Sequence, residues 1–334
     1  MKILFYDVSD FEFDYFLDNS IKTIEKYFFK IPLNNKTYVD KKYADCEAIS
    51  TFVDSFLDKE TLSKFKNLKF IFLRCTGYSN VDLKYCSTNG INVFNVPEYG
   101  TNAVSEFAFG LILNISRNII EANSNLKLGQ ISKVDSVGFE LYKKTLGVIG
   151  AGSIGKRVLD IAKAFNMNTL AYDTIENSDY NYVTLDELLK KSDFIVICCS
   201  LNSETKHLIN RSAFLKMKKN AYLINVSRGE VVEIQSLYDA IITKRIQGAA
   251  LDVVECEETL CAGYRECIKK DNIKSNCLKK YLFITKLMQL KNVIITPHIA
   301  YNTHEARKKL ADITIENIKS SFNINSGTKN LVLI

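Results

Sequence analysis

Short apolar runs alternate with stretches of helical periodicity along almost the whole chain. In the first part, Lys2–Val8, Glu47–Phe52, Lys69–Cys75 and Ile91–Val96 read as strands, and amphipathic stretches such as Lys59–Phe65 separate them. The series resumes with Thr145–Ile149 and continues through Thr169–Tyr172, Phe194–Cys199, Ala221–Val226, Ala249–Val253 and Val293–Thr296. Strands spaced by helical segments predict an α/β protein with parallel sheets, since a parallel neighbour is reached only through a crossover, usually a helix. No internal repeat or low-complexity segment interrupts the pattern.

The 334 residues suggest two domains on a prior of about 150 residues each. Pro97 and Pro297 each end an apolar run, and proline cannot donate to a ladder and restricts the residue before it. Both sites fit chain exits from a sheet. Residues 1–100 and 300–334 are therefore expected to form one domain, with the last helix, about His304–Phe322, packed on it. Residues 101–299 form the other. Between them, Asn102–Asn118 places Val104, Phe107, Ala108, Leu111, Ile112 and Ile115 at helical spacing. That stripe suits either a dimer-forming helix or a plain core helix.

Composition narrows the class. Hydrophobic residues make up 47% and charged residues 25%, as in an ordinary soluble protein, and no apolar run reaches the roughly 20 residues of a membrane span. The N-terminus reads as a strand rather than a signal peptide, so a cytoplasmic protein without a membrane partner is expected. A cytosol also implies that the nine cysteines are reduced. Cys256, Cys261, Cys267 and Cys277 crowd one segment, but their spacing does not match common zinc sites, and no metal is expected. The net charge of +6 comes from scattered lysines, which a solvated surface explains without nucleic acid.

The strongest local signal follows the strand Thr145–Ile149. Gly150, Gly152 and Gly155 fit the G-x-G-x-x-G pattern and open an amphipathic helix through Val158, Ile161, Ala162 and Phe165. The first glycine permits a tight turn, the second lets backbone approach a pyrophosphate, and the third allows helix to pack on strand. The helix N-terminus adds free N–H groups and positive potential. The next strand ends at Asp173, about 20 residues on, where an acid binds the adenine ribose hydroxyls. No arginine follows in Thr174-Ile175-Glu176-Asn177, so NAD is favoured over NADP.

The chain has only three histidines. His207 lies in a loop entering a helix and reads as structural, and His304 begins the last helix as a cap or surface residue. His298 ends the strand Asn292–Pro297, at the edge where a doubly wound sheet binds ligands, and an imidazole there can exchange a proton near neutral pH. Arg228 lies just beyond Ala221–Val226 and suits a carboxylate through two parallel hydrogen bonds. Asp252 and Glu257 follow the strand Ala249–Val253 at the same edge.

At these residues a resemblance becomes specific. The glycine motif, Asn225-Val226-Ser227-Arg228-Gly229, Leu251-Asp252-Val253-Val254-Glu255-Cys256-Glu257 and Thr296-Pro297-His298 resemble the D-2-hydroxyacid dehydrogenase family, in its order and over nearly the whole chain. Val96–Tyr99, Thr296–Thr303 and the long insert after Glu257 are most similar to the D-lactate dehydrogenases, the insert to their vancomycin-resistance-type branch. The resemblance implies two doubly wound domains, a flavodoxin-like substrate domain and a Rossmann NAD-binding domain. It implies reduction of a small 2-keto acid, pyruvate before others, to D-lactate by a homodimer. Arg228 would hold the substrate carboxylate, His298 would protonate the keto oxygen, and Glu257 would hydrogen-bond His298 and favour its protonated form. Asp252 would meet the nicotinamide end. Ser153, Ile154, Cys199, Ser200, Thr205, Val226 and Ser227 would be further cofactor contacts. The backbone of Thr76 and Gly77 would bind the carboxylate, and Tyr99, Tyr301 and, more weakly, Phe52 would wall the pocket.

Two departures stand out. Ser200 replaces a proline found in many members, and the insert 258–291 has its own cysteine-rich sequence with no legible motif. Two other activities in the class stay open, a glyoxylate or hydroxypyruvate reductase and a branched-chain dehydrogenase. From another class, an NAD-sensing corepressor also resembles this family.

Overall fold

A computed structural model describes residues 1–19, 24–130, 137–176, 178–257, 275–322 and 330–332. The chain divides into two compact units, Met1–Tyr99 with Thr303–Ile334, and Gly100–Asn302. Each is built on one parallel sheet, as the alternation of strand and helix predicts.

The first unit carries a five-stranded sheet: β1 (Lys2–Phe5), β2 (Glu25–Phe28), β3 (Ala48–Thr51), β4 (Phe70–Leu73) and β5 (Asn92–Phe94), in the order β2-β1-β3-β4-β5. That is the flavodoxin-like order. Both faces are covered: Ile3 and Phe5 pack with Phe72, Phe94 and the C-terminal helix His304–Ser320 through Ala311 and Ile318. Leu4 and Tyr6 pack on the other face with Ile49, Ile71 and Val93. Strand β2 and the helix α1 (Asp10–Asp18) escape the pattern reading. Strand β2 is at the sheet edge and none of its residues is buried, so its apolar signal is weak.

One charge is sealed in this unit. Arg74, at the end of β4, is fully buried. Its Nε donates to Glu12 Oε1 at 2.8 Å, one terminal nitrogen to Ser50 Oγ at 3.1 Å, and the other to the carbonyls of Tyr6 at 2.8 Å and Asp7 at 2.7 Å. Burial alone would raise the Glu12 carboxyl, but Arg74 and the Ser9 amide outweigh it and hold it below the ordinary range.

The second unit has six parallel strands: β6 (Thr145–Ile149), β7 (Asn168–Tyr172), β8 (Phe194–Ile197), β9 (Tyr222–Asn225), β10 (Gly248–Leu251) and β11 (Val293–Ile295). Their order is β11-β10-β9-β8-β6-β7, so the chain reverses direction across the sheet between β6 and β8. A parallel bridge between Ala171 and Tyr182 extends the β7 side. Most of the stripe on the helix Thr101–Arg117 goes into the core of its own unit: Val104, Ala108, Leu111, Ile112 and Ile115 are buried and Phe107 is partly buried. The following helix, Ile119–Lys127, buries nothing.

The thiol expectation fails at one place. Cys256 and Cys277 form a disulfide, with Cα atoms 5.7 Å apart, inside the span a disulfide bridges. The helix Ser275–Leu287 makes this possible, because it folds back onto the unit and buries Ile284 and Leu287 in its core. Cys46, Cys86, Cys198 and Cys199 are free thiols, while Cys261 and Cys267 lie outside the described residues. Among the described residues no group of His, Cys, Asp or Glu is arranged to hold a metal ion. No single described helix is long and apolar enough to cross a membrane; the bent pair Thr101–Arg117 and Ile119–Lys127 passes only when joined across a 63° break.

Candidate active site

The glycine turn sits where the strand order reverses, the place at which open α/β sheets bind ligands. Gly150 follows β6 with φ +93°, and a Cβ there would lie 2.4 Å from the Cys199 nitrogen. A Cβ on Gly155 would lie 2.0 Å from the Gly150 carbonyl oxygen. Both positions exclude a side chain because backbone approaches backbone. Gly152 differs: nothing lies within 4 Å of where its Cβ would be. It opens the helix Ser153–Ala164, so Ser153 and Ile154 begin a helix whose first amides no side chain caps. That combination fits a dinucleotide pyrophosphate.

Asp173 follows β7 and is tied to the same turn. One carboxylate oxygen accepts the Ala151 amide at 2.6 Å and the other accepts the Ile175 amide at 3.1 Å. Cys199, Ser200 and Thr205 shape the loop after β8: Thr205 Oγ1 donates to the Ser200 carbonyl at 2.7 Å and accepts from the Asn202 amide at 2.8 Å. Burial pushes the Cys199 thiol up to about 11, so it stays a neutral thiol near pH 7.

The next three strand ends gather the remaining polar groups of this unit, and two buried side chains anchor them. Asn225, the last residue of β9, accepts from the Ser227 amide and hydroxyl at 3.1 and 3.0 Å and donates to the Arg228 carbonyl at 2.9 Å. Val226 and Ser227 are buried beneath this turn, and Arg228 emerges from it half-buried. Its guanidinium donates to the Ser227 carbonyl at 2.7 Å, and no carboxylate pairs with it among the described residues. The fork keeps donors for a ligand.

Asp252, just beyond β10, is 1% exposed. Its carboxylate accepts from Thr296 Oγ1 at 2.6 Å and from the amides of Ile299 and Ala300 at 3.0 and 2.8 Å, and its carbonyl accepts the His298 amide at 2.9 Å. Asp252 therefore shapes the turn that carries His298. That residue has φ +52°, a conformation a non-glycine residue keeps only when its surroundings enforce it. His298 Nδ1 lies 3.0 Å from Glu257 Oε1, both side chains partly exposed, and the Tyr301 ring meets the imidazole edge-on at 6.4 Å between centroids. With Nδ1 facing the carboxylate, Nε2 is the ring nitrogen left to exchange a proton.

Thr76, Gly77, Tyr99 and Phe52 belong to the first unit. Thr76 and Gly77 form the loop after β4, where Thr76 Oγ1 donates to the Val96 carbonyl at 2.8 Å. Tyr99 closes the segment after β5, and Phe52 packs beside the buried cluster of that sheet.

Residues 109–300 match the NAD-binding domain of the D-isomer specific 2-hydroxyacid dehydrogenases. A 2-hydroxyacid dehydrogenase homolog of Haemophilus influenzae is 35% identical across 100% of this chain and 99% of its own length. This chain belongs to the D-isomer specific 2-hydroxyacid dehydrogenase family. A glyoxylate reductase of Korarchaeum cryptofilum is 32% identical over 85% of this chain and 82% of its own. The solved D-lactate dehydrogenase from Aquifex aeolicus, complexed with NAD and lactic acid, superposes with a TM-score of 0.89 at 32% identity, over 99% of this chain and 98% of that one.

Sequence reading overlooked several residues that build this family site. Asn225 and Thr296 hold the Arg228 and His298 turns. Glu255, 1% exposed, accepts the Ile234 amide at 3.0 Å, His207 Nε2 at 2.7 Å and Lys280 Nζ at 2.6 Å. His207, expected to be structural, is one of its partners. His304 is exposed, and Thr303 rather than His304 caps the last helix, accepting the Ala306 amide at 3.1 Å. A polar residue ending an apolar strand was the available signal for Asn225. Nothing local marked Lys280.

Proposed function

We propose that this chain reduces a small 2-keto acid, pyruvate before others, to the D-2-hydroxy acid with NADH. The observation that carries the reading is the His298–Glu257 pair at the same sheet edge as Arg228, whose fork retains free donors. NADH, when bound, supplies a hydride to the keto carbon. Arg228 holds the substrate carboxylate with parallel charge-assisted bonds and polarises the keto group. As negative charge grows on the keto oxygen, His298 donates its proton through Nε2, and the Glu257 carboxylate faces the charged imidazole. Asp252 keeps that imidazole in place through its backbone turn. Tyr301, edge-on to His298, limits the substrate side chain.

Asp173 supports NAD over NADP, because a 2′-phosphate would meet a carboxylate with no arginine in the following residues. The likeness to a glyoxylate reductase supports a second substrate, glyoxylate or hydroxypyruvate. A panel of pyruvate, glyoxylate, hydroxypyruvate, phenylpyruvate and 2-ketoisocaproate with NADH and NADPH, with chiral analysis of the product, tests both points. We expect the highest kcat/KM with pyruvate and NADH, and a D product. No turnover of any keto acid, with NADH bound, would sink the enzyme reading in favour of a nucleotide sensor.

The assembly we propose is a cytoplasmic homodimer. Ile119, Ile120, Leu126 and Leu128 are 49%, 49%, 60% and 73% exposed on and just beyond a helix that buries nothing in its own unit. An apolar face of this kind calls for a partner surface. Light scattering on Ile120→Asp should report a monomer where the parent chain reports a dimer.

A further inference from the structure

Glu257 owes its place to its neighbours rather than to its own contacts. Its side chain is 41% exposed, and its partner is the partly exposed His298. An ion pair that open to water is too weak to hold a loop. The residue before it, Cys256, has φ +55°, a left-handed conformation that a cysteine leaves unless it is held. Two restraints hold it. The Glu255 carboxylate is buried against Ile234, His207 and Lys280. Burial alone would raise this carboxyl, but the Ile234 amide, Lys280 and His207 outweigh it and keep it below the ordinary range. Cys256 itself is bonded to Cys277.

Both restraints come partly from one helix. On Ser275–Leu287, Cys277, Lys280, Ile284 and Leu287 recur at three- and four-residue spacing and so share one face. The lower part of that face buries Ile284 and Leu287 in the core, beside Ile234–Ile242. The upper part ends on the turn Glu255–Glu257, with an ion pair to Glu255 and a covalent bond to Cys256. The insert thus grips the residue next to the carboxylate that faces His298.

We propose that the helix Ser275–Leu287 is a redox-sensitive clamp on Glu257. Lys280 and Glu255 are positioning residues, and the Cys256–Cys277 disulfide is the part that cellular thiols can open. The inference rests on the dehydrogenase reading above. Opening is thiol–disulfide exchange. A dithiol thiolate attacks one sulfur and breaks the Cys256–Cys277 bond, and the reductant's second thiol resolves the mixed disulfide. Two electrons and two protons pass to the pair, giving two thiols and the oxidised dithiol. With the bond open, Cys256 relaxes from its left-handed conformation and Glu257 leaves His298, while Lys280 still holds Glu255.

The test compares the full-length protein kept oxidised with the same protein reduced by dithiothreitol and desalted without air. Peptide mass mapping follows the Cys256–Cys277 link. Reduction is expected to lower kcat for pyruvate on the order of tenfold, below the roughly 10² that a 1 Å misplacement can cost. It should also draw the alkaline limb of the pH–rate profile to lower pH, with NADH binding by fluorescence unchanged. Backbone amides of residues 252–257 should exchange hydrogen faster. Cys277→Ser should behave like reduced protein under both conditions. Lys280→Met, with the disulfide intact, should shift the profile the same way by less. Identical kcat and pH profile in the two redox forms, or no Cys256–Cys277 link in oxidised protein, overturns the clamp. Should neither form turn over a keto acid, the dehydrogenase reading fails by itself; unchanged amide exchange in 252–257 would then overturn the clamp, and faster exchange would support it.

Discussion

The two sheets share one architecture and treat an arginine in opposite ways. Arg74 and Arg228 both sit at or just past the carboxyl end of a parallel strand. Arg74 is fully buried and donates to a carboxylate, a hydroxyl and two carbonyls. Four of its five N–H donors are used inside the unit and the side chain is sealed from water, and its work is to hold α1, β1 and β3 together. Arg228 is half-buried and donates to one carbonyl, that of the residue before it. Residue type is the same in both cases, and both follow a strand end, Arg74 directly after Leu73 and Arg228 after the Val226–Ser227 turn. What separates the sealed cation from the open one is how many donors the fold leaves over and whether water reaches them.

Four substitutions break or sharpen that contrast. The largest effect falls at the open edge: His298→Gln should lower kcat for pyruvate by roughly 10²–10⁴, the usual contribution of a general acid, while the NADH dissociation constant holds. A kcat near that of the parent enzyme would remove His298 from the reaction. Next comes the sealed cation. Arg74→Met leaves Glu12 buried without its partner and should cost about 3–5 kcal/mol in urea unfolding, with turnover per folded molecule unchanged. A midpoint equal to that of the parent would mean water reaches the pair.

Arg228→Lys keeps the charge and loses the fork, so kcat/KM should fall about 10- to 100-fold, as expected for one charged hydrogen bond, with the unfolding midpoint in place. A large loss of stability would make Arg228 resemble Arg74 and end the comparison. The smallest effect is at Asp7, beside the sealed pair. Burial first, then the Asp54 charge, raises its carboxyl to about 6, against ~3.9 in an unfolded chain. The folded state thus binds this proton more tightly, and its stability falls as pH rises from about 4 to about 6. Asp7→Asn should remove that loss, adding about 1–2 kcal/mol at pH 7 and nothing near pH 4. Asparagine also tolerates the φ of +61° there. Equal gains at both pH values would point to the backbone rather than the charge.

Much of the site was legible because chemistry and topology coincide in this fold class. Ligands bind where strands end, so Arg228, Asp252 and His298 could be picked out as polar residues directly after apolar runs, and the glycine turn by its place between strand and helix. The role of Asp252 was not legible that way. Beside the ligand contact its type and position suggest, its carboxylate accepts from Thr296, Ile299 and Ala300 and so holds the His298 turn, which no local pattern marks. Strand β2 was missed because an edge strand buries little and shows little apolar periodicity.

The alternation of apolar runs, the glycines of the turn and the strand-end residues determined the fold class, the nucleotide crevice and the candidate acid from sequence alone. Each of these depends on residues close together in the chain, where periodicity and backbone sterics act. Only the tertiary structure decided that Arg74 is sealed while Arg228 is open. It alone brought Cys256 to Cys277, and Lys280 and His207 to Glu255, since those contacts join residues 21 to 48 positions apart. Local pattern carries no record of which distant groups will share a buried site, because desolvation and hydrogen-bond satisfaction are settled only when the chain has packed.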